Sequence, residues 1–156
     1  MGHMAWTLFK TAIFTVVLPG TIAVYVPHGV SRGAIFNVPR DAIGYAGVVP
    51  IVSGIVLYLR CAWDFAAGLG TPAPIDPPKM LVVRGPYRWT RNPMYVAVTS
   101  VLVGEWTTTR SAPLGWWALT VFIGFNLFVL LYEEPTLRGK FGEEYERYCR
   151  TVPRWI

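Results

Sequence analysis

Polar positions along this chain are sparse, and the gaps between them set its architecture. Three apolar runs, 5–26, 42–59 and 112–132, each approach the length of about 20 residues that crosses a hydrocarbon core about 30 Å thick. A fourth run centres on residues 94–103. Taken from Pro93 to Thr109 it reaches roughly 25 Å at about 1.5 Å per residue, which makes it either a short span or one that starts below the interface. Pro19-Gly20 should break the first helix and Pro50 should bend the second, while Gly44, Gly47 and Gly54 give the second helix a small face that a neighbour can approach closely. The first run is followed by Pro27, His28 and Gly29 rather than a small-residue cleavage pattern, so a retained helix is expected. Met1 to Met4 resembles an expression-vector remnant and carries no weight.

The pattern changes twice outside the spans. Residues 61–86 hold Pro72, Pro74, Pro77, Pro78 and Pro86 among several glycines, which excludes one continuous helix and predicts a long loop, with Leu81, Val82 and Val83 as a short extended piece. Glu133, Glu134 and Pro135 mark the exit from the last span. Beyond them Leu137, Phe141, Tyr145, Tyr148 and Val152 recur every three or four residues, which predicts an amphipathic helix lying on the membrane or over the loop. On its polar face Glu143 with Arg147 and Glu146 with Arg150 are spaced for i, i+4 pairs. The expected fold is therefore all-α: a polytopic membrane domain over 1–156 with about four transmembrane helices and a C-terminal amphipathic cytoplasmic helix. It divides into two N-terminal spans over 5–59, a cytoplasmic loop over 60–92, a helical hairpin over 93–132 and a cytoplasmic C-terminal segment over 133–156.

Composition agrees with that setting. Hydrophobic residues make up 53% of the chain and charged ones 15%, with a mean hydropathy of +0.40. Four spans put Arg60, Lys79, Arg84, Arg88, Arg91, Arg138, Lys140, Arg147, Arg150 and Arg154 on one side and Arg32, Arg40 and Arg110 on the other, which places both termini in the cytoplasm. The net charge of +5 then reads as topology and attraction to anionic membrane lipids, and nucleic acid is not needed to explain it. Cys61 and Cys149 fall on the reducing side without metal-ligand spacing, as free thiols. Oligomeric state is not encoded legibly.

Candidate chemistry narrows quickly. Gly68 to Ala73 mimics a dinucleotide fingerprint, but it follows a membrane span and contains Pro72, where a strand-turn-helix unit is required. Outside the first four residues His28 is the only histidine, so histidine base chemistry is absent from the cytoplasmic side. A denser cluster is Gly85-Pro86-Tyr87-Arg88-Trp89-Thr90-Arg91-Asn92-Pro93-Met94-Tyr95. Asn92 before Pro93 is a strong helix start, through an Asn cap and a proline at the first helical position. Arginines and aromatics gathered at that helix N-terminus suit an anionic group. Glu133 and Glu134 lie at the expected C-terminal end of the last span, where the helix dipole disfavours negative charge and a bound cation would relieve it. A hairpin of the third and fourth spans would join the two, and an amino-acid zwitterion needs both.

The 85–95 run, then Glu133-Glu134-Pro135, then Phe141-Gly142-Glu143-Glu144-Tyr145-Glu146-Arg147-Tyr148 leading to Val152-Pro153-Arg154-Trp155, closely resembles the isoprenylcysteine carboxyl methyltransferase and phospholipid methyltransferase family. The resemblance covers about 81–155; the first two spans agree in hydropathy alone. It implies an S-adenosylmethionine-dependent methyltransferase of a lipophilic acceptor, either an isoprenylcysteine carboxylate or a phospholipid amine. It further implies that Gly85, Pro86 and Tyr87 line the cofactor, that Arg91, Asn92 and Tyr95 form the loop-to-helix wall, and that Glu133 with Glu134 holds the methionine ammonium. Many members have histidine where this chain has Asn92. Glu133 and Arg138 are the expected catalytic residues, the first for an amine's proton and the second for an anionic headgroup. The rival reading is a catalytically silent four-span scaffold or partner subunit.

Overall fold

Two prolines that interrupt the apolar pattern, Pro27 and Pro135, lie inside continuous helices. The computed structural model describes residues 17–31, 41–66, 81 and 83–156. Among these it has five helices: α1 (Val17–Val30), α2 (Ala42–Ala66), α3 (Pro93–Thr109), α4 (Ala112–Phe141) and α5 (Glu143–Thr151), with a single 3₁₀ turn at Gly85–Arg88. The all-helical expectation holds. Residues 5–16 of the first apolar run, Arg32, Arg40, the Gly68 to Ala73 run, the proline-rich stretch to Lys79 and Val82 lie outside the described residues.

Both prolines survive by the same device. In α1 the turn Thr21–Tyr25 widens so that the Val26 N–H reaches back five residues to the Thr21 carbonyl; in α4 Val129–Glu133 widens and the Glu134 N–H reaches the Val129 carbonyl. The proline follows immediately, and the wider turn relieves its clash with the preceding carbonyls. Pro27 has no N–H for the Ile22 carbonyl, which instead accepts the indole N–H of Trp117 at 2.9 Å. That bond ties α1 to α4. The expected break at Pro19-Gly20 is thus a widened turn directly after it, and the helix runs past Val26 to Val30.

Other helix ends also correct the expected boundaries. Glu133 and Glu134 do not end a helix, because α4 continues for about two more turns and stops at Gly142, whose φ of +52° favours glycine. The dipole argument for a cation at these residues therefore falls away. The α2 helix passes Leu59 and carries Arg60, Cys61 and Asp64, which were expected in the loop. The helix expected as the third span begins and ends at the expected residues, Pro93 and Thr109, but it is not among the described helices long and apolar enough to cross a membrane.

Helices α3 and α4 form an antiparallel hairpin turned by Arg110, at φ +54°, which pairs with Asp41 at the start of α2. Helix α2 lies against α3 at very short range. A Cβ on Gly47 would sit 2.2 Å from Thr108 Oγ1, one on Gly104 would sit 2.7 Å from the Gly47 carbonyl, and one on Gly54 would sit 2.6 Å from the Ala97 carbonyl. Lipid offers helices no hydrophobic drive to associate, so close backbone packing of small residues must supply it. Tyr58, Ala97, Val98, Leu102, Ala118 and Val121 fill the core between α2, α3 and α4.

The exterior is apolar. Helices α2 and α4 hold the two segments long and apolar enough to cross a membrane, Ala42–Asp64 and Ala112–Phe141, and each has only 22% of its most apolar window buried. Tyr45, Val49, Val56, Trp63, Trp116 and Leu131 point outward. A soluble core helix would bury such a surface; here it needs lipid. At about 45 Å, α4 is longer than a hydrocarbon core of about 30 Å is thick, and Glu133, Glu134 and Arg138 lie in its last turns.

The close approach sets a testable asymmetry. Gly47→Val should destabilise the protein by about 1–3 kcal/mol through overpacking. Gly124→Ala, with nothing within 4 Å of the new methyl, should be neutral or stabilise by up to about 1 kcal/mol. Thermal unfolding of both variants in detergent distinguishes them.

Candidate active site

The end of the hairpin where α3 starts and α4 emerges collects the chemistry. The Gly85–Arg88 turn precedes it, held open by Gly85 at φ +58°. Pro93 occupies the first position of α3, but the Asn92 side chain does not cap the helix: its Nδ2 donates to the Arg154 carbonyl at 3.0 Å. Thr90 donates its hydroxyl to the same carbonyl at 2.9 Å, and the Arg91 N–H bonds the Pro153 carbonyl at 2.9 Å. The C-terminal strand of chain thus lies along the loop as a backbone partner.

Glu134 fastens this arrangement. Its side chain is 3% exposed and meets Arg91 at 3.0 Å, Arg154 at 2.6 and 3.0 Å, and Arg138 at 3.4 Å. Both oxygens are engaged. Arg138 divides itself between Glu134 and Glu146, the latter at 2.8 Å, so Glu146 turns away from the expected pair with Arg150. Arg91 also reaches Cys149 Sγ at 2.8 Å. Helix α5 closes the assembly: Tyr145, Tyr148 and Val152 are buried against Leu81, Leu137 and Phe141, and the Tyr148 hydroxyl donates to the Tyr87 carbonyl at 2.7 Å. Of the two placements expected for the amphipathic face, it covers the loop.

Beside this clamp lies a less saturated pair. Tyr95, one turn into α3, donates its hydroxyl to Glu133 Oε2 at 2.8 Å and packs on Phe125 with ring centroids 4.7 Å apart. Glu133 keeps Oε1. Tyr87 stays partly accessible as a residue while its hydroxyl lies deep; burial, then the nearby Cys61 and Glu133, push the phenol well above its ordinary range. It therefore remains a neutral ring and hydroxyl at any physiological pH.

These observations meet a family-level match. The model of the phospholipid methyltransferase family matches residues 42–144. The chain belongs to the phospholipid methyltransferase family. Membership implies a membrane-bound methyltransferase, and the matched segment runs from the first residue of α2 into α5. An uncharacterised protein of Haemophilus influenzae is 38% identical over 64 residues, which is 40% of this chain and the whole of that protein. No solved structure matches the chain significantly.

In this methyltransferase-family chain the structure joins most of the residues singled out in the sequence. Gly85, Pro86, Tyr87, Arg91, Asn92, Tyr95, Glu133 and Glu134 converge on one end of the hairpin, as expected from the two distant motifs. Their duties differ from the expectation. Asn92, Arg91 and Glu134 are occupied in holding the tail, and Arg138 belongs to the same ion-pair network. Two participants escaped sequence reasoning. Arg154 is the strongest partner of Glu134, and Asp64 packs against Gly85, where a Cβ would fall 2.8 Å from its Oδ2. Asp64 had a faint signal, an i, i+4 spacing from Arg60 that makes a 3.3 Å ion pair once α2 is extended.

Glu134→Gln should release the tail. Removing one partner from a fully buried ion pair costs about 3–5 kcal/mol; here Arg91 is largely buried while Arg154 and Arg138 are part-exposed and screened by solvent, so the cost falls below that range. Hydrogen exchange should show residues 143–156 losing protection in this variant while α2 and the α3–α4 hairpin retain theirs; unchanged protection of α5 would contradict the clamp.

Proposed function

We propose that this chain is an integral membrane methyltransferase that uses S-adenosylmethionine to methylate a lipophilic acceptor, spanning the membrane four times with both termini in the cytoplasm. The observation that carries the reading is the convergence of Gly85, Tyr87 and Tyr95 with Glu133 at the emerging end of α4, in a chain of the phospholipid methyltransferase family. The described basic residues support the orientation, since Arg60, Arg84, Arg91, Arg138 and Arg154 gather at that same end, with Arg110 at the other.

The residues present suit the cofactor. Its amino-acid portion and sulfonium need carboxylate and aromatic partners, and this end offers Glu133 Oε1 beside the rings of Tyr87, Tyr95 and Phe125. Gly85 lacks a side chain where backbone must approach closely. When bound, S-adenosylmethionine supplies a methyl group on a positively charged sulfur. With that group held by Glu133 and the rings of Tyr87 and Tyr95, the protein would mainly have to align the acceptor with it and exclude water. Glu133 is the carboxylate positioned to take an amine acceptor's proton, and the basic rim with Arg138 suits the phosphate of a lipid headgroup. Glu134 serves here as the clamp rather than as an ammonium ligand.

Purified protein in detergent should bind S-adenosylmethionine by calorimetry and transfer labelled methyl to a fraction of a membrane lipid extract. Glu133→Gln should weaken cofactor binding about tenfold or more, the worth of a charge-assisted hydrogen bond. Wild-type protein that is folded yet neither binds nor transfers would leave the silent-scaffold reading in its place.

A further inference from the structure

Among the described residues two buried carboxylate oxygens have no hydrogen-bond partner: Glu105 Oε2 and Asp64 Oδ2. Glu105 lies near the far end of α3, away from the motif residues, whereas Asp64 stands at the motif itself. Its side chain is 8% exposed. One oxygen is held by Arg60 at 3.3 Å, and the other faces Gly85 at a distance that leaves no space for a Cβ. Arg84 donates to the Asp64 backbone carbonyl at 3.4 Å, which keeps the turn seated on the end of α2. One turn earlier on the same face, Cys61 is fully buried and close enough to Tyr87 to act on its phenol.

Leaving a buried carboxylate oxygen unpaired costs free energy that a ligand donor would recover. Glu134, the other buried acid at this end, has no acceptor capacity left. We infer that Asp64 is a cofactor-binding residue of this site, its Oδ2 accepting a hydrogen bond from an N–H or O–H donor of S-adenosylmethionine, either the methionine ammonium or the ribose diol. The inference rests on the proposed methyltransferase reading. It assigns α2 a direct part in a site otherwise built from the loop, the α3–α4 hairpin and the tail. Gly85 is then required for two reasons, its backbone angle and its close approach to Oδ2, which a Cβ would prevent.

The test compares wild type, Asp64→Asn and Arg60→Leu in detergent, each checked for folding by thermal unfolding without ligand. Calorimetry measures binding of S-adenosylmethionine, S-adenosylhomocysteine and 5′-methylthioadenosine, which retains the ribose and lacks the amino acid. Asp64→Asn should weaken the first two about tenfold or more, while Arg60→Leu, which removes only the partner of the other oxygen, should weaken them less than Asp64→Asn does. Equal loss for 5′-methylthioadenosine identifies the ribose as donor; retained binding of it identifies the ammonium. If Asp64→Asn does not fold, the charge-neutral pair Arg60→Leu/Asp64→Asn carries the same comparison. A folded Asp64→Asn protein with wild-type affinity, or an Arg60→Leu protein that loses as much as Asp64→Asn, overturns the inference. Wild type failing to bind would overturn the methyltransferase reading instead.

Discussion

A single buried carboxylate, that of Glu134, holds together the end of the α3–α4 hairpin where the motif residues meet. Its charge is sequestered at a depth where an unpaired carboxylate would be untenable, so it recruits Arg91 from the loop, Arg154 from the tail and Arg138 from its own helix. The consequences propagate through covalent geometry. Arg91 stands two residues before α3, so fixing its guanidinium fixes where that helix begins. Tyr95 follows one turn later and meets Glu133, the neighbour of Glu134. The clamp and the Tyr95–Glu133 pair thus share one stretch of backbone on α4 and one on α3, and neither can move alone. The network also leaves a charge imbalance, three guanidinium groups against Glu134 and Glu146, so the ion-pair cluster carries net positive charge.

A second constraint lies within the membrane-facing part. The glycines of α2 and α3 let two backbones touch, and this contact fixes the height of α2 against the hairpin. Through it the last turns of α2 arrive beside the Gly85 turn. Had Gly47 or Gly54 carried larger side chains, α2 would stand away from α3 and Asp64 would lose its seat against Gly85. Helix packing in the apolar layer and site geometry at its edge are therefore one mechanical problem.

Much of this was legible in the residues. The α3 helix, the hairpin and the meeting of the 85–95 run with Glu133-Glu134 follow from hydropathy and motif order, because an antiparallel pair of helices returns to its starting end. The helix ends were not legible, and the reason is physical. Charged residues at 60 and 64 end an apolar run without ending a helix, since at the interface a helix can continue with its charges paired or in water. Prolines at 27 and 135 read as stops, yet a widened turn ahead of each accommodates the ring. That device leaves no trace in periodicity over so few residues. The role of Arg154 was equally hidden, because pairing between residues 20 apart depends on where the tail folds back.

The division of labour between the two adjacent glutamates follows from helix geometry rather than from their chemistry. Consecutive residues on a helix point about 100° apart, so Glu134 turns toward the loop and tail while Glu133 turns toward α3. The widened turn at Val129–Glu133 sits immediately before this pair and sets the angle at which both emerge. A regular helix would rotate the two carboxylates together, directing Glu133 away from Tyr95 and Glu134 away from Arg91. Pro135 stabilises the wider turn because it cannot supply the N–H that a regular α-helical turn would demand. The Glu-Glu-Pro sequence therefore acts as a unit, its proline setting the backbone that commits Glu134 to the tail and turns Glu133 to Tyr95.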